Sequence, residues 1–408
     1  MKTVLFYDPD ITGHHCEYLH HPANFIVNQA DVTGVIVCNA KIGDQLKRIY
    51  GERSPLLEIV CIDDDLQQRI DQAKNLWQRG RADADCFAHY MQKLKPDLAI
   101  ALHANPMQPF LNSRYFRNSK IPVRGILFDP FPLAERLGRQ HMTWRWRLTA
   151  LRKACQVRWF SMNRCIDKMF ILNDEKVAAF FNSISAKPSL FEAISDPLPL
   201  HLQEVEAPSQ LARVEARRQL LFIGSINRRK GLLETLRALE CLPDPLKASV
   251  HLRIVGRFLD SDLRDEAVSK VNALVEHGYS IELSEGWVSD AQFALESQQC
   301  DLVLAPYVGF HGSSGVIGHA AFFAKPLLAT CDGLVGEIVR ERCLGEVVQT
   351  RDPVLYAAAI LSFVNQQWNY APQQSKYASR MSSSAFMQQL LNQSANSILK
   401  CKRAAKVS

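Results

Sequence analysis

Asp301-Leu302-Val303-Leu304-Ala305-Pro306, then His311-Gly312-Ser313-Ser314-Gly315-Val316-Ile317-Gly318-His319, closed at Lys325-Pro326, is the stretch that decides how this chain folds. The apolar run reads as a buried strand. The Gly/Ser stretch is a turn, and an apolar helix follows, which Lys325-Pro326 ends before a second run, Leu327-Leu328-Ala329-Thr330. Strand, glycine-rich turn, helix and strand in that order make a β/α unit of a parallel sheet. The turn's amides then lie at a helix N-terminus, where unpaired N–H groups and the helix dipole favour an anion. A tight strand-to-helix turn with no ligand reads equally well on this stretch alone.

The pattern repeats upstream. Leu220-Leu221-Phe222-Ile223-Gly224 runs into Ser225-Ile226-Asn227-Arg228-Arg229-Lys230-Gly231, with a helix predicted over Leu232–Leu242. Three successive cations between a strand and a helix suit a diphosphate, because each charge-assisted hydrogen bond contributes roughly 1.5–3 kcal/mol. Exposed turn cations are the plainer reading. Further strands are expected at Leu252–Gly256 and Ile281–Leu283, the latter leading to Gly286-Trp287-Val288. Trp287 suits stacking on a base as well as packing at a strand end.

The first half alternates in the same way. Val4–Tyr7, Gly34–Cys38, Leu57–Ile62, Pro96–Leu102, Ile121–Asp129 and Met169–Leu172 read as strands. Helices are expected between them, including one long helix over Leu66–Leu94 whose Gln, Arg and Asp residues form a solvated face. The loop after the first strand holds Gly13, His14 and His15, and His103 and Asp129 end later strands. All five would lie at the carboxyl ends of strands, the face where open α/β sheets bind ligands. Asp63-Asp64-Asp65 could bind a metal, but a helix start with acidic first-turn residues explains it better. From Arg136 to Lys168 the chain is basic and tryptophan-rich, a composition suited to an anionic bilayer or a phosphorylated acceptor, or to a solvated helix with inward tryptophans. No nucleic-acid-binding motif accompanies it, so nucleic acid is not expected as a partner.

At 408 residues the chain exceeds the size of one core, so two domains are expected, both α/β. The net charge of +6 is mild. Eleven cysteines, an odd number with no C-x-x-C pair, predict reduced thiols in a cytoplasmic protein. No apolar run approaches a transmembrane length, so any membrane contact would be peripheral.

These residues resemble the retaining glycosyltransferases of the GT-B fold, glycosyltransferase family four (group 1). The resemblance is strongest over Leu220–Val348. It implies two Rossmann-like domains facing a central cleft: an acceptor-binding domain over 1–205, a nucleotide-sugar-binding domain over 206–370, and a helix over 371–408 returning to the first. It further implies transfer of a sugar from a nucleotide-diphosphate donor, with retention and without a metal or other cofactor. The acceptor would be a glycan or a lipid-linked, polysaccharide-repeat species. Lys230, Arg229 and the loop amides after Gly312 would stabilise the leaving diphosphate, and His311 would stand with Lys230 and Arg229 among the catalytic residues. Gly224, Ser225, Arg228, Gly256, Trp287, Val288, Gly312, Ser313, Ser314, Gly315, Val316 and His319 would line the donor site. Gly13, His14, His15, His103 and Asp129 would lie on the acceptor side.

Lys230-Gly231 matches the family's Lys-Gly pair, but Ser225 stands where the family has Arg, leaving Arg228 or Arg229 to substitute. The family's paired glutamates, with seven residues between them, fall at His311 and His319. A carboxylate accepts from both ribose hydroxyls, whereas a neutral imidazole has one acceptor nitrogen. Altered ribose recognition and a less negative donor pocket follow. A non-catalytic nucleotide-sugar-binding homologue and a nucleotide-sugar 2-epimerase-like enzyme are the alternatives.

Overall fold

A computed structural model describes residues 2–11, 15–29, 32–128, 144–203, 217–366 and 368–391. Of the expected site residues, Gly13, His14 and Asp129 lie outside these, as do residues 136–143 of the basic segment. One compact unit ends at Pro197 and resumes at Ser382; the other runs from Leu198 to Met381.

The first unit is built on seven strands: β1 (Lys2–Asp8), β2 (Val32–Cys38), β3 (Leu57–Cys61), β4 (Leu98–Ala101), β5 (Val123–Leu127), β6 (Ile166–Leu172) and β7 (Phe191–Ile194). All neighbouring pairs are parallel, in the order β3-β2-β1-β4-β5-β6-β7. The second carries β8 (Arg218–Ile223), β9 (Val250–Gly256), β10 (Ser280–Glu285), β11 (Leu302–Ala305), β12 (Leu327–Thr330) and β13 (Gly345–Val348), in the order β10-β9-β8-β11-β12-β13, again all parallel. Both are Rossmann-like sheets.

Both faces of each sheet are covered, so the strands are apolar throughout and do not alternate with polar residues. Leu5, Tyr7, Val35 and Val37 enter one core of the first unit, while Val4, Phe6, Ile36 and Cys38 enter the other. In the second unit, Leu220, Phe222, Leu302 and Leu304 face one core, and Leu221, Ile223, Val303 and Ala305 the opposite one.

The long helix expected over Leu66–Leu94 is two helices, Asp64–Asp71 and Leu76–Leu94. Asn75 makes the break, because its side chain accepts from the Gln78 amide at 2.9 Å and starts a new helix. Asp63 precedes the first helix, with Asp64 and Asp65 in its first turn, which agrees with the helix-start reading of this acidic run. The short strands β7 and β13 went unanticipated: four residues, two of them polar or small, make a weak pattern.

The helix Ala371–Arg380 packs on the helix Gly315–Phe322 within the second unit, and Gln374 ties it down by donating to the carbonyls of Lys325 and Leu344. The following helix, Ser383–Leu391, packs on the helix His15–Gln29 of the first unit. There His21 Nδ1 lies 2.9 Å from the Ser383 hydroxyl, and the buried Arg124 guanidinium binds the Leu390 carbonyl at 2.6 Å.

Burial, assisted by the charge of His20, pushes the His21 imidazole down from 6.5 to about 3. The unfolded chain therefore takes up a proton that the folded chain refuses. Stability complete above pH 6.5 is lost as pH falls toward 3, by at most about 1.4 kcal/mol per pH unit. Urea midpoints measured between about pH 7 and 5 should fall with acidification in the parent protein and less steeply in His21→Gln.

Candidate functional site

In each sheet the strand order reverses next to the first strand of the unit: β1 pairs with both β2 and β4, and β8 with both β9 and β11. The loops leaving such a pair diverge and open a crevice at the carboxyl end of the sheet. The Lys230 segment follows β8 and the Ser314 segment follows β11, so the topology brings together the two stretches singled out in the sequence.

Backbone contacts fasten them. Gly231 has φ +78°, and a Cβ there would stand 2.0 Å from the Pro306 carbonyl oxygen. The Val308 amide donates to the Arg229 carbonyl at 2.8 Å. Gly256, at the end of β9, is equally constrained, since its Cβ would lie 2.0 Å from the Gly224 oxygen. Gly224 itself adopts φ +109°, and a Cβ there would sit 3.4 Å from the Lys230 ammonium.

Lys230 Nζ donates to the Tyr307 hydroxyl at 2.9 Å, which lies 2.6 Å from Ser314 Oγ. One polar chain therefore runs from the cationic turn to the cap of the helix Gly315–Phe322. Ser314 is that helix's N-cap, yet its side chain makes no capping bond, being turned toward Tyr307. A Cβ at Gly315 would meet nothing within 4 Å, so the first turn of this helix opens onto space. Gly312 and Val316 are buried, and Ser313 is half-buried beside them.

The three cations part company. Lys230 joins the chain just described, and the Arg229 guanidinium stacks 4.2 Å over the Phe310 ring. Arg228 turns outward to Glu266 at 3.2 Å, on the helix Ser261–Glu276. Of the two candidates for the missing family arginine, Arg229 stays with the β11 loop. Ser225 is exposed on the same loop as Lys230.

His311 is half-buried, and its Cα would be 3.2 Å from a Cβ at Gly333. His319 Nδ1 lies 3.0 Å from the Gly315 carbonyl, and its ring lies against Phe293 with centroids 4.2 Å apart. A carbonyl only accepts, so Nδ1 carries a proton. Trp287 is 80% exposed after β10, while Val288 packs against the second core of this unit.

In the first unit the loops after β1 and β4 meet likewise. Asp8 is buried, and its Oδ2 lies 2.9 Å from His15 Nδ1 while its Oδ1 accepts from the Asp10 amide at 3.0 Å. Asp10 Oδ2 is 3.3 Å from His103 Nδ1, and its Oδ1 receives Arg79. Arg79 also holds Asp83 through Nε at 3.1 Å. The His15 and His103 rings lie 4.8 Å apart, and His103 meets Phe128 edge-on. Burial works against the charge of Asp10, but hydrogen bonds from His103 and Arg79 outweigh it and hold the carboxyl well below the usual range. Burial pushes Asp83 up to about 6 against the pull of Arg79.

Sequence reasoning missed Asp8, Asp10, Arg79 and Asp83 as parts of this cluster. The last two belong to the helix face expected to be solvated, which needs correction, because Asp83 is buried beneath Arg79. Their spacing of four residues was the available signal.

Residues 217–366 match the family model described as glycosyl transferases, group 1. That span holds β8 to β13 and supports a group 1 glycosyltransferase. No curated protein matches the sequence. Among solved structures, the N-terminal domain of Candida albicans trehalose-6-phosphate phosphatase is similar at TM-score 0.68 and 12% identity, over 96% of this chain and 97% of that one. Anabaena Alr3699/HepE, solved with UDP and glucose, is similar at 0.60 and 15%, over 96% and 98%. The UDP-forming alpha,alpha-trehalose-phosphate synthase of Burkholderia xenovorans, solved with glucose-6-phosphate, is similar at 0.63 and 11%, over 96% and 100%. At such identities the likeness is one of fold, and the fold is GT-B.

The segment 217–366 depends on its glycines unequally. Gly231→Ala should lower stability by about 1–3 kcal/mol, through overpacking and left-handed strain. Gly315→Ala should change it little. Urea unfolding of the two variants beside the parent compares them directly.

Proposed function

We propose that the protein is a glycosyltransferase that binds a nucleoside-diphosphate sugar in its second unit and transfers the sugar to an acceptor engaged by the first. The observation that carries this reading is the Lys230–Tyr307–Ser314 chain, which ends at an open helix N-terminus. Breaking the sugar–phosphate bond places negative charge on the departing diphosphate. A fixed ammonium and the first-turn amides at Gly315 and Val316 stabilise that charge without reorganising. Tyr307 orients Lys230, and Arg229, held over Phe310, supplies a second cation. The diphosphate contact then needs no metal, because these groups supply the positive charge.

The group 1 match over β8 to β13 and the UDP bound by a neighbour of the same fold support a nucleotide-sugar donor. His319, with Nδ1 held at the Gly315 carbonyl, has at most one ring nitrogen for a ribose hydroxyl where a glutamate would take two. The resemblance to family four makes front-face displacement with retention the accompanying proposal. His15 and His103, following β1 and β4, are proposed for the acceptor side.

The acceptor is proposed to be lipid-linked or a growing polysaccharide, reached at the cytoplasmic face of a membrane. On the helix Trp144–Ser161, Trp144, Leu148, Leu151 and Trp159 are exposed, and Met162 continues the stripe. Arg147 and Arg152 are exposed on the same helix, whereas Trp146, Val157 and Phe160 turn toward the core. An apolar stripe flanked by arginines suits an anionic interface. No described helix is long and apolar enough to cross a membrane.

Calorimetry with UDP-, GDP- and ADP-linked sugars should find one donor class that binds. Lys230→Ala should weaken that binding and lower sugar transfer at least tenfold, as the loss of a charge-assisted contact requires. A dissociation constant within twofold of the parent would remove the reading; binding without turnover on any acceptor would favour the non-catalytic homologue. Pelleting with phosphatidylglycerol vesicles should be strong at low salt and weakened by Trp144→Ser with Leu151→Ser. Absence of pelleting at every salt concentration would remove the membrane contact.

A further inference from the structure

The β1/β4 crevice of the first unit holds side chains of a different chemistry from the Lys230 site. Asp10, His15 and His103 each present one ligand-type atom, and these atoms lie within 4.8 Å of one another. We propose that Asp10, His15 and His103 bind a divalent transition-metal ion of the zinc type. This goes beyond the donor assignment and does not depend on it, and it departs from the sequence-based expectation of no metal.

Distances, support and charge all favour it. Two ligand atoms of a tetrahedral zinc site are roughly 3.3 Å apart, given metal–ligand bonds of about 2.0–2.1 Å. Asp10 Oδ2 is 3.3 Å from His103 Nδ1 and 4.0 Å from His15 Nε2. All three ligand atoms fall within 4.8 Å of one another, so the imidazoles have to draw in to close the site around an ion. His15 is already oriented as a ligand. Its Nδ1 is held at 2.9 Å by the buried Asp8 carboxylate, the carboxylate–histidine support that ligating imidazoles use, and Nε2 points to the Asp10 side. Arg79 occupies the other oxygen of Asp10 and pairs with Asp83, leaving Oδ2 turned toward the imidazoles. Three carboxylates against one guanidinium make the cluster net anionic with neutral imidazoles. Two imidazoles with one carboxylate select Zn2+, Co2+ or Fe2+ over Mg2+ or Ca2+, which prefer oxygen.

The test is titration of the full-length, metal-stripped protein with Co2+ alone, followed by visible absorption, and with Zn2+ alone by calorimetry, in the absence of any nucleotide sugar. One equivalent should bind, with d–d bands of a nitrogen/oxygen site and no thiolate charge-transfer band. His15→Gln and His103→Gln should each weaken binding at least tenfold, and Asp8→Asn, which touches only the supporting carboxylate, by about 10–100-fold. Circular dichroism establishes that each variant is folded, and Asp8→Asn serves where a histidine variant is not. No binding to the parent would overturn the proposal. So would a thiolate band, or an affinity unchanged in the double histidine variant. Because donor is absent throughout, none of these outcomes bears on the Lys230 site.

Discussion

Between the backbone of residue 231 and the carbonyl oxygen of Pro306 there is no room for a side chain: a Cβ would stand 2.0 Å from that oxygen. This approach locks the turn after β8 against the loop after β11. With it come the hydrogen bond from Val308 to Arg229 and the short path from Lys230 through Tyr307 to Ser314. Were the two loops held only by their side chains, the lysine would hydrate and the serine would revert to an ordinary cap. Glycine at 231 thus sets the distance between charge and helix terminus on which any anion chemistry here depends.

The first unit solves the same topological problem with opposite chemistry. Its crevice is built by β1 and β4, as the other is by β8 and β11, but carboxylates and imidazoles replace cations and amides. Asp8 is almost wholly buried and is satisfied by His15 and the Asp10 amide. Asp10 is shared between His103 and Arg79, and Arg79 between Asp10 and Asp83. Such a network favours one arrangement, because removing His15 or Arg79 takes the side-chain partner from a buried carboxylate, Asp8 or Asp83. One sheet therefore gathers cations beside a helix terminus, and the other carboxylates beside imidazoles.

The substituted glutamate positions take on physical meaning in this setting. At 319 the imidazole bonds back to its own helix at Gly315 and lies on Phe293, so one nitrogen is committed before any ligand arrives. A glutamate there would carry a full negative charge near the same helix terminus. The exchange leaves the terminus more electropositive while narrowing what the side chain can accept. Tyr307 and Phe310, which no sequence pattern marked, hold the two cations that count.

Chain order and strand chemistry were legible from residues alone. Continuous apolar runs such as Val4–Tyr7 and Leu302–Ala305 announce strands covered on both faces, and their alternation with helices announces parallel sheets. Glycines 224, 231 and 256 marked strand ends and turns; the first two adopt positive φ, whereas Gly256 is required by the approach of the Gly224 oxygen. What the sequence could not determine was which loops become neighbours. Strand order brings residue 10 to residue 103 and residue 230 to residue 307, and it results from long-range pairing that leaves no local pattern. For that reason Arg228 and Arg229 looked alike in sequence yet face different partners. Asp83, one polar residue among many on a helix, proved to be a buried counter-ion because the tertiary fold buries it and brings Asp10 to Arg79, four residues earlier on the same helix.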